Sequence, residues 1–129
     1  QGEGGNLSNR QSIQWKLADI AMEVYASKFM CYNNLVELER YYEVIESKEK
    51  VPRQLRDRVS RGSAISKAYV SEVASRAITT AIEIQGLTGI TAGSELERGF
   101  RDSFIAEIYE GTNDIQRMIS AKELLGLGL

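Results

Sequence analysis

A single proline divides this chain into two long stretches with the residue spacing of amphipathic helices. Pro52 is the only proline among the 129 residues, and on both sides of it apolar side chains recur every three or four positions, the spacing of one helix face. Before the proline this pattern runs from about Asn9 to about Glu46, which is longer than most globular helices. We therefore predict a long helical hairpin that turns at Val51-Pro52, with proline in the first position of the second helix.

Three helices are predicted after the proline. The second helix carries many small residues between positions 64 and 82, which would let neighbouring helices approach closely, and a glycine-rich segment at 85–94 ends it. Gly86 or Gly89 is suited to the left-handed conformation of a helix C-terminus. A third helix is predicted from about Ser94 to Ile108, and a fourth follows the break at Gly111. The sequence therefore predicts an all-α fold, an up-and-down four-helix bundle.

The pattern predicts one helical-bundle domain, over residues 9–129, because no repeat or linker divides it. Residues 1–8 are rich in glycine and are predicted to be a disordered lead-in or a tag remnant. Ser8 or Asn9 could cap the first helix, and Thr112 or Asn113 the fourth. The apolar positions predicted to point inward on the first helix include Ile13, Leu17, Ile20, Val24 and Phe29.

The composition excludes several classes of function. The chain has no histidine, which excludes Ser-His-Asp and Cys-His nucleophile systems and the Glu-x-x-His ligand pairs of helical di-metal sites, so no metal site is predicted. A net charge of -2 gives no attraction for nucleic acid, and no apolar run approaches the roughly 20 residues of a membrane span. The lone cysteine, Cys31, fits a reducing compartment such as the cytoplasm or the mitochondrial matrix.

The run Ile108-Tyr-Glu-Gly-Thr-Asn-Asp-Ile-Gln-Arg117 is the candidate site for chemistry. It follows an amphipathic segment, breaks at Gly111 and restarts at a Thr-Asn-Asp capping cluster. Such a break can hold the Glu110 carboxylate at a junction between helices instead of on a solvated helix face. Because the chain lacks histidine, an acid or base here must be a carboxylate, Lys, Tyr or Cys.

This run resembles the C-terminal domain of acyl-CoA dehydrogenases. Arg101-Asp102 precedes it, the helix end Gln85–Gly89 lies further upstream, and the segment Gln11–Asp19 is similar to the start of that domain's first long helix. The resemblance extends from about Gln11 to Leu124, and residues 108–117 are its most specific part.

The resemblance implies a flavin enzyme that oxidises an acyl-CoA thioester to the 2,3-enoyl-CoA, with Glu110 as the base that removes the proton next to the thioester carbonyl. It also implies FAD as the cofactor and places Tyr109 and Gly111 at the substrate. The positions that it implies for FAD contacts are Gln85 and Gly89, toward the flavin of a neighbouring subunit, together with Thr112, Asp114 and Gln11.

The chain departs from the family pattern in its glycine-rich loop. The family usually has Gln-x-x-Gly-Gly-x-Gly, whereas here Thr88 occupies the position of the first paired glycine. The family's N-terminal helical domain and β-domain are also absent, so we expect missing domains or companion chains, a homo-oligomer, and an isolated domain without activity. Two alternatives are a non-catalytic helical oligomerisation or scaffold domain, and part of a related flavoenzyme such as an acyl-CoA oxidase.

Overall fold

The computed structural model describes residues 6–127, and within this range the regular structure is entirely helical. A 3-10 turn at Leu7–Asn9 precedes five α-helices: α1 (Gln11–Glu46), α2 (Arg53–Gln85), α3 (Leu87–Ile90), α4 (Glu95–Ile108) and α5 (Asn113–Leu125). The predicted all-α fold with four main helices is confirmed, and the one-turn helix α3 is additional. Of the predicted disordered lead-in at 1–8, residues 1–5 lie outside the described residues.

α2 is the helix on which the others pack, since it contacts α1, α4 and α5. α1 and α2 run antiparallel, as the predicted hairpin requires, and three ion pairs define their register. These pairs are Lys16–Glu83 at 2.6 Å, Glu23–Arg76 at 3.1 Å and Glu37–Arg58 at 3.1 Å.

α4 and α5 follow one another along α2 and both run opposite to it. Glu107 near the end of α4 accepts a hydrogen bond from Ser75, and Arg117 in α5 pairs with Glu72, one turn earlier on α2. The two helices therefore form one interrupted helical layer, and the interruption is the junction at 109–112. This layer and α1 contact different faces of α2.

The apolar core of the described residues is small and belongs to α2. Its buried apolar side chains are those of Leu55, Val59, Ala64 and Val73, of which Leu55 and Val59 keep a small accessible surface. Ser66 and Ser71 are buried beside them, which agrees with the prediction that small residues on this helix allow close packing.

α1 exposes a continuous apolar face to solvent. Along one stripe each residue is between 49% and 65% exposed, and after the first member the spacings alternate between three and four residues. We call it the outer stripe of α1: Trp15, Met22, Tyr25, Phe29, Tyr32 and Val36. The prediction that Leu17, Val24 and Phe29 point into a core is wrong for these residues, which are 49%, 48% and 57% exposed. The reason is that among residues 6–127 α1 packs mainly on one helix, and its other apolar side has no neighbour.

Local capping explains where the helices begin. Ser94 accepts from the Glu97 N–H at 3.1 Å and starts α4, whereas neither Ser8 nor Asn9 caps α1, because its N-cap position is occupied by Arg10 without a side-chain bond. The Arg101 guanidinium, hydrogen-bonded to Glu97, holds the pKa of that carboxyl below its usual range.

In the range that the structure describes, every helix is too short or too polar to cross a membrane.

Candidate functional site

The junction between α4 and α5 is a turn with two successive residues at positive φ. α4 ends at Ile108, Tyr109 is extended, and Glu110 and Gly111 follow with φ angles of 53° and 86°. Glycine adopts such angles freely, but a glutamate in the left-handed region costs about 1–3 kcal/mol and persists only where its surroundings impose it. The candidate base is therefore the strained residue of the turn.

The side chains of Thr112, the N-cap of α5, and of Gln116 hold this turn. The Thr112 hydroxyl accepts from the Ile115 N–H at 3.4 Å and caps α5, as one of the two predicted caps. The Gln116 side-chain amide donates to the carbonyl of Glu110 at 3.0 Å and to that of Gly111 at 3.4 Å. The N–H groups of Glu110 and Gly111, in contrast, donate to no acceptor within residues 6–127, so both remain available to a ligand.

Asn113 fastens the start of α5 to α2. It is a buried polar residue, and its side-chain oxygen accepts from the Lys67 ammonium at 2.7 Å. Its amide nitrogen donates to the Ser71 hydroxyl at 2.9 Å and approaches the Ala68 carbonyl and the Glu72 carboxylate at 3.4 Å each. Buried polar groups that are bonded in this way fix one arrangement of the elements that carry them.

A row of charged side chains extends from the Asn113 contact to the protein surface. Arg117 pairs with Glu72 on α2 and donates to the Asp114 carboxylate at 3.2 Å. Asp114, whose side chain is 94% exposed, lies in the first turn of α5, where a negative charge is favoured by the helix dipole. Its side chain is therefore both oriented and accessible.

Glu110 lines a mostly apolar cavity of about 370 Å³ between α1, α2 and the junction. The lining residues are Cys31 of α1, then Ser66, Lys67, Val70, Ser71 and Ala74 of α2, and Ala106, Tyr109 and Glu110. Glu110 itself is solvent-exposed in this chain. The cavity therefore offers an apolar wall with a carboxylate at its edge, an arrangement that can bind an apolar chain and remove a proton from it.

The structure separates the predicted site residues into two groups. One group lies at the junction, beside Ser71 of α2, to which Asn113 is hydrogen-bonded. Its members are Tyr109, Glu110, Gly111, Thr112 and Asp114. The other group is at the far end of the helical hairpin, and its members are Gln11 at the start of α1, Gln85 at the end of α2 and Gly89 in α3. The stretch of α2 from Ser71 to Gln85 corresponds to about 21 Å of helix.

Packing within the chain favours a glycine at position 89. Gly89 is buried, and a Cβ there would lie 3.2 Å from the Cβ of Gln85 and 3.3 Å from the Cα of Ile82, so these neighbours would have to shift. Thr88, which replaces a family glycine, donates its hydroxyl to the Gln85 carbonyl at 3.0 Å and so satisfies the end of α2. The Gln85 side chain and Gly86, which takes the positive φ of 68°, are exposed at this end, as are Leu87, Thr88 and Ile90.

Sequence reasoning did not identify Lys67, Ser71 and Gln116 as parts of this site, and it assigned Asn113 only a capping role. The signal for Asn113 was its place next to Thr112 in the capping cluster, which left open which of the two caps α5. A lysine and a serine within the small-residue stretch of α2 carry no such signal, because their role depends on α5 reaching them in the fold.

The fold and the site together define an all-α domain that presents a glutamate at the junction of two in-line helices. Residues 1–125 match the family model described as "Acyl-CoA dehydrogenase, C-terminal domain". The chain belongs to this family.

Relatives with similar sequences include the probable acyl-CoA dehydrogenase FadE25 of Mycobacterium tuberculosis, 35% identical over 122 residues. A short-chain specific acyl-CoA dehydrogenase of Megasphaera elsdenii is also 35% identical, and the mitochondrial short-chain specific enzyme of Rattus norvegicus is 33% identical. The matches cover 95% of this chain but only 28%, 28% and 26% of these relatives, respectively. The chain thus spans little more than a quarter of their length.

Solved structures have the same fold. A structure described as the electron transferring flavoprotein of Acidaminococcus fermentans matches with a TM-score of 0.76 and 27% identity, over 97% of this chain and 29% of that one. A structure described as the FAD complex of PigA matches with a TM-score of 0.72 at 23% identity, over 99% of this chain and 30% of that one. The second likeness concerns the fold alone.

Proposed function

We propose that this chain is the base-bearing part of a flavin-dependent acyl-CoA dehydrogenase and that Glu110 removes the α-proton of an acyl-CoA thioester. The observation that carries the proposal is the position of Glu110. The residue that the family motif marks as the base is held at positive φ in the helix junction, and it lines an apolar cavity. Positive φ also occurs at Lys48 after the end of α1, where it only ends the helix, so the position at the cavity edge is the feature that distinguishes Glu110.

The proton transfer uses groups of this chain. The Glu110 carboxylate accepts the proton from C2, the carbon next to the thioester carbonyl, and becomes a carboxylic acid. The free N–H groups of Glu110 and Gly111 can donate to the thioester oxygen and stabilise the negative charge that develops there. FAD, when bound, accepts the hydride that leaves C3, so that the C2–C3 bond becomes a double bond.

The desolvation that strengthens this chemistry must come from outside residues 6–127, because Glu110 is exposed here. An acyl chain seated in the cavity and further protein segments over it would remove water from the carboxylate. Tyr109 and Gly111, which flank the base, are the proposed substrate contacts. Removed from these segments, the chain is expected to have no activity.

FAD contacts are proposed at two places along α2, beside its middle and at its C-terminal end. Beside the middle, the Thr112 hydroxyl accepts one hydrogen bond within the chain and keeps its own hydrogen for a ligand, while Asp114 is accessible beside it. At the C-terminal end the exposed Gln85 amide offers a donor and an acceptor, with Gln11 nearby in the fold. The helix length between the two groups, about 21 Å, fits contacts to flavins of two different subunits. Gly89 is proposed as a packing residue that places the Gln85 end, since its own surface is buried.

The outer stripe of α1 supports an assembly larger than this chain. Six large apolar residues in coiled-coil-like spacing are exposed on one helix face, and a face of this kind is typical of an interface. We propose that it is covered in a homo-oligomer or by the domains that the longer relatives possess. The cytoplasm and the mitochondrial matrix remain the proposed compartments.

Replacing the base is the experiment that tests the proposal. In the full-length, FAD-loaded protein, Glu110→Gln should slow flavin bleaching by acyl-CoA by about 100-fold or more, because the amide cannot accept the proton. Flavin content should be unchanged. The matched control is Glu95→Gln, which alters an exposed carboxylate in the first turn of α4. Bleaching at the wild-type rate in Glu110→Gln would remove Glu110 from the role of base.

A further inference from the structure

The side chain of Gln116 bridges the two carbonyls of the strained turn. Its amide nitrogen lies 3.0 Å from the Glu110 oxygen and 3.4 Å from the Gly111 oxygen. Glu110 and Gly111 both have positive φ. Their carbonyls therefore point in another direction than they would in an extended segment. A single side chain six residues beyond Glu110 therefore contacts the groups whose orientation defines the turn.

The turn and Gln116 fit one another closely. A Cβ added to Gly111 would lie 2.9 Å from the Gln116 amide nitrogen, so the bridge requires a glycine at this position in addition to the positive φ. The Gln116 backbone N–H donates to the Thr112 carbonyl at 3.0 Å, which is the first helical bond of α5. The side chain consequently extends back over the N-terminus of its own helix to the turn.

The helix that carries Gln116 is itself fixed. Asn113, buried in the first turn of α5, is bonded to Lys67 and Ser71 of α2. The positions of the Gln116 amide and of α2 are thus coupled through one rigid helical turn, and α2 forms a wall of the cavity that Glu110 lines.

We propose that Gln116 is a positioning residue, which acts through the backbone of Glu110 and directs the carboxylate toward the cavity. This inference rests on the proposed function, because it assumes that Glu110 is the base. Without the bridge, nothing on α5 holds Glu110 at positive φ, and the residue is free to relax to a conformation in which its side chain leaves the cavity edge. Thr112 would still cap α5, so the helix itself remains.

The variant that isolates the bridge is Gln116→Met, which keeps the length of the side chain and removes the amide. The matched control is Gln14→Met. Gln14 also donates from its side chain to a backbone carbonyl, that of Ser8 at 2.8 Å, but near the start of α1, at the far end of the hairpin. Both variants lose hydrogen bonds from a side-chain amide to backbone carbonyl oxygens, two for Gln116 and one for Gln14, and only Gln116→Met affects the turn.

The first measurement is the backbone conformation of the turn in crystal structures of the full-length protein without substrate. In Gln116→Met the φ of Glu110 should leave the positive range, where it is 53° in the wild type. Gln14→Met should keep the wild-type φ. A Glu110 that stays at positive φ in Gln116→Met would overturn the proposal, because the side chain would then not hold the turn.

The second measurement is the rate constant of flavin reduction by a saturating acyl-CoA in the same proteins. Gln116→Met should lower it by about threefold to tenfold, with the half-saturating acyl-CoA concentration nearly unchanged, since the substrate walls are not altered. A Glu110 that has left positive φ, combined with a wild-type rate constant, would also overturn the positioning role.

A parallel Glu110→Gln sample separates the two proposals. If that variant reduces its flavin like the wild type, the proposed function fails, and the φ of Glu110 in Gln116→Met still decides whether Gln116 holds the turn.

Discussion

Replacing Asn113 by alanine is expected to detach α5 from α2 and to lower the free energy of unfolding substantially. Asn113 is 6% exposed, and its side chain is the link that brings the Lys67 ammonium and the Ser71 hydroxyl to the start of α5. Alanine would leave the half-buried ammonium without this acceptor, while Ser71 could still donate to the Ala68 carbonyl at 3.0 Å.

The magnitude follows from these contacts. A hydrogen bond from a charged donor contributes about 1.5–3 kcal/mol, and a neutral one about 0.5–1.5 kcal/mol. Because the Ser71 hydroxyl goes on donating to the Ala68 carbonyl and loses only the bond that it accepts, the neutral contribution is taken at its lower end, and the loss for Asn113→Ala is about 2–4 kcal/mol. For a domain of this size, with a urea m-value of about 1.5–2 kcal/mol per M, the unfolding midpoint should fall by about 1–3 M.

Urea unfolding followed by circular dichroism at 222 nm, at one fixed protein concentration, measures this loss. Asn33→Ala is the control, since Asn33 is an exposed residue of α1, and its replacement should change the free energy of unfolding by less than about 0.5 kcal/mol. A double-mutant cycle with Lys67→Met should give a coupling energy of about 1.5–3 kcal/mol between Lys67 and Asn113. A coupling energy near zero, or equal losses in Asn113→Ala and the control, would refute the role of Asn113 as the anchor.

Three further outcomes are expected. Gly111→Ala should destabilise the protein by about 1 kcal/mol more than Gly93→Ala, because both positions have φ near 87° but only Gly111 has a side chain in the way of a Cβ; equal losses in urea unfolding would contradict this. The Glu97 pKa is depressed by Arg101, so the stability that this pair contributes is present above the ordinary glutamate pKa and is lost as the pH falls through the lowered value. In an NMR titration the Glu97 pKa should rise in Arg101→Gln, and an unaltered titration would exclude Arg101 as the cause. Light scattering should show the 129-residue chain self-associating through the outer stripe of α1, whereas a strictly monomeric species at high concentration would argue against that interface.

The helix boundaries could be predicted because their causes are local. Pro52 lies at the N-cap of α2, one residue before the first helical position predicted for it. Ser94 and Thr112 cap the two helices that follow them. The prediction that Ser8 or Asn9 caps α1 is wrong for a local reason as well. Both residues belong to a 3-10 turn that Asn6 caps, so neither lies at the N-cap position of α1.

The outer stripe could not be predicted as exposed from its pattern. Residues such as Tyr25 and Phe29 satisfy the spacing of a buried face, and periodicity identifies a face without identifying what covers it. Which apolar side of α1 meets α2 is decided by the register of the hairpin, a property of the folded pair of helices.

The candidate site was predictable in part. Gly111 marks the break and the motif marks Glu110, but the conformation of Glu110 depends on Gln116, six residues away, and on α5 being held by Asn113. The bonds from Asn113 to Lys67 and Ser71 span more than 40 residues of sequence. Contacts of this range follow from tertiary packing and have no local signature.

Exchange of the α-proton is the measurement that tests the role of Glu110 most directly. An acyl-CoA analogue with sulfur in place of C3 cannot lose hydride from that position, so any exchange of its C2 protons with D₂O reports proton removal alone. The wild-type protein with FAD bound should catalyse this exchange, and Glu110→Gln should reduce it by about 100-fold or more while retaining FAD. Exchange at the wild-type rate in Glu110→Gln would show that another group removes the proton and would contradict the assignment of Glu110 as the base.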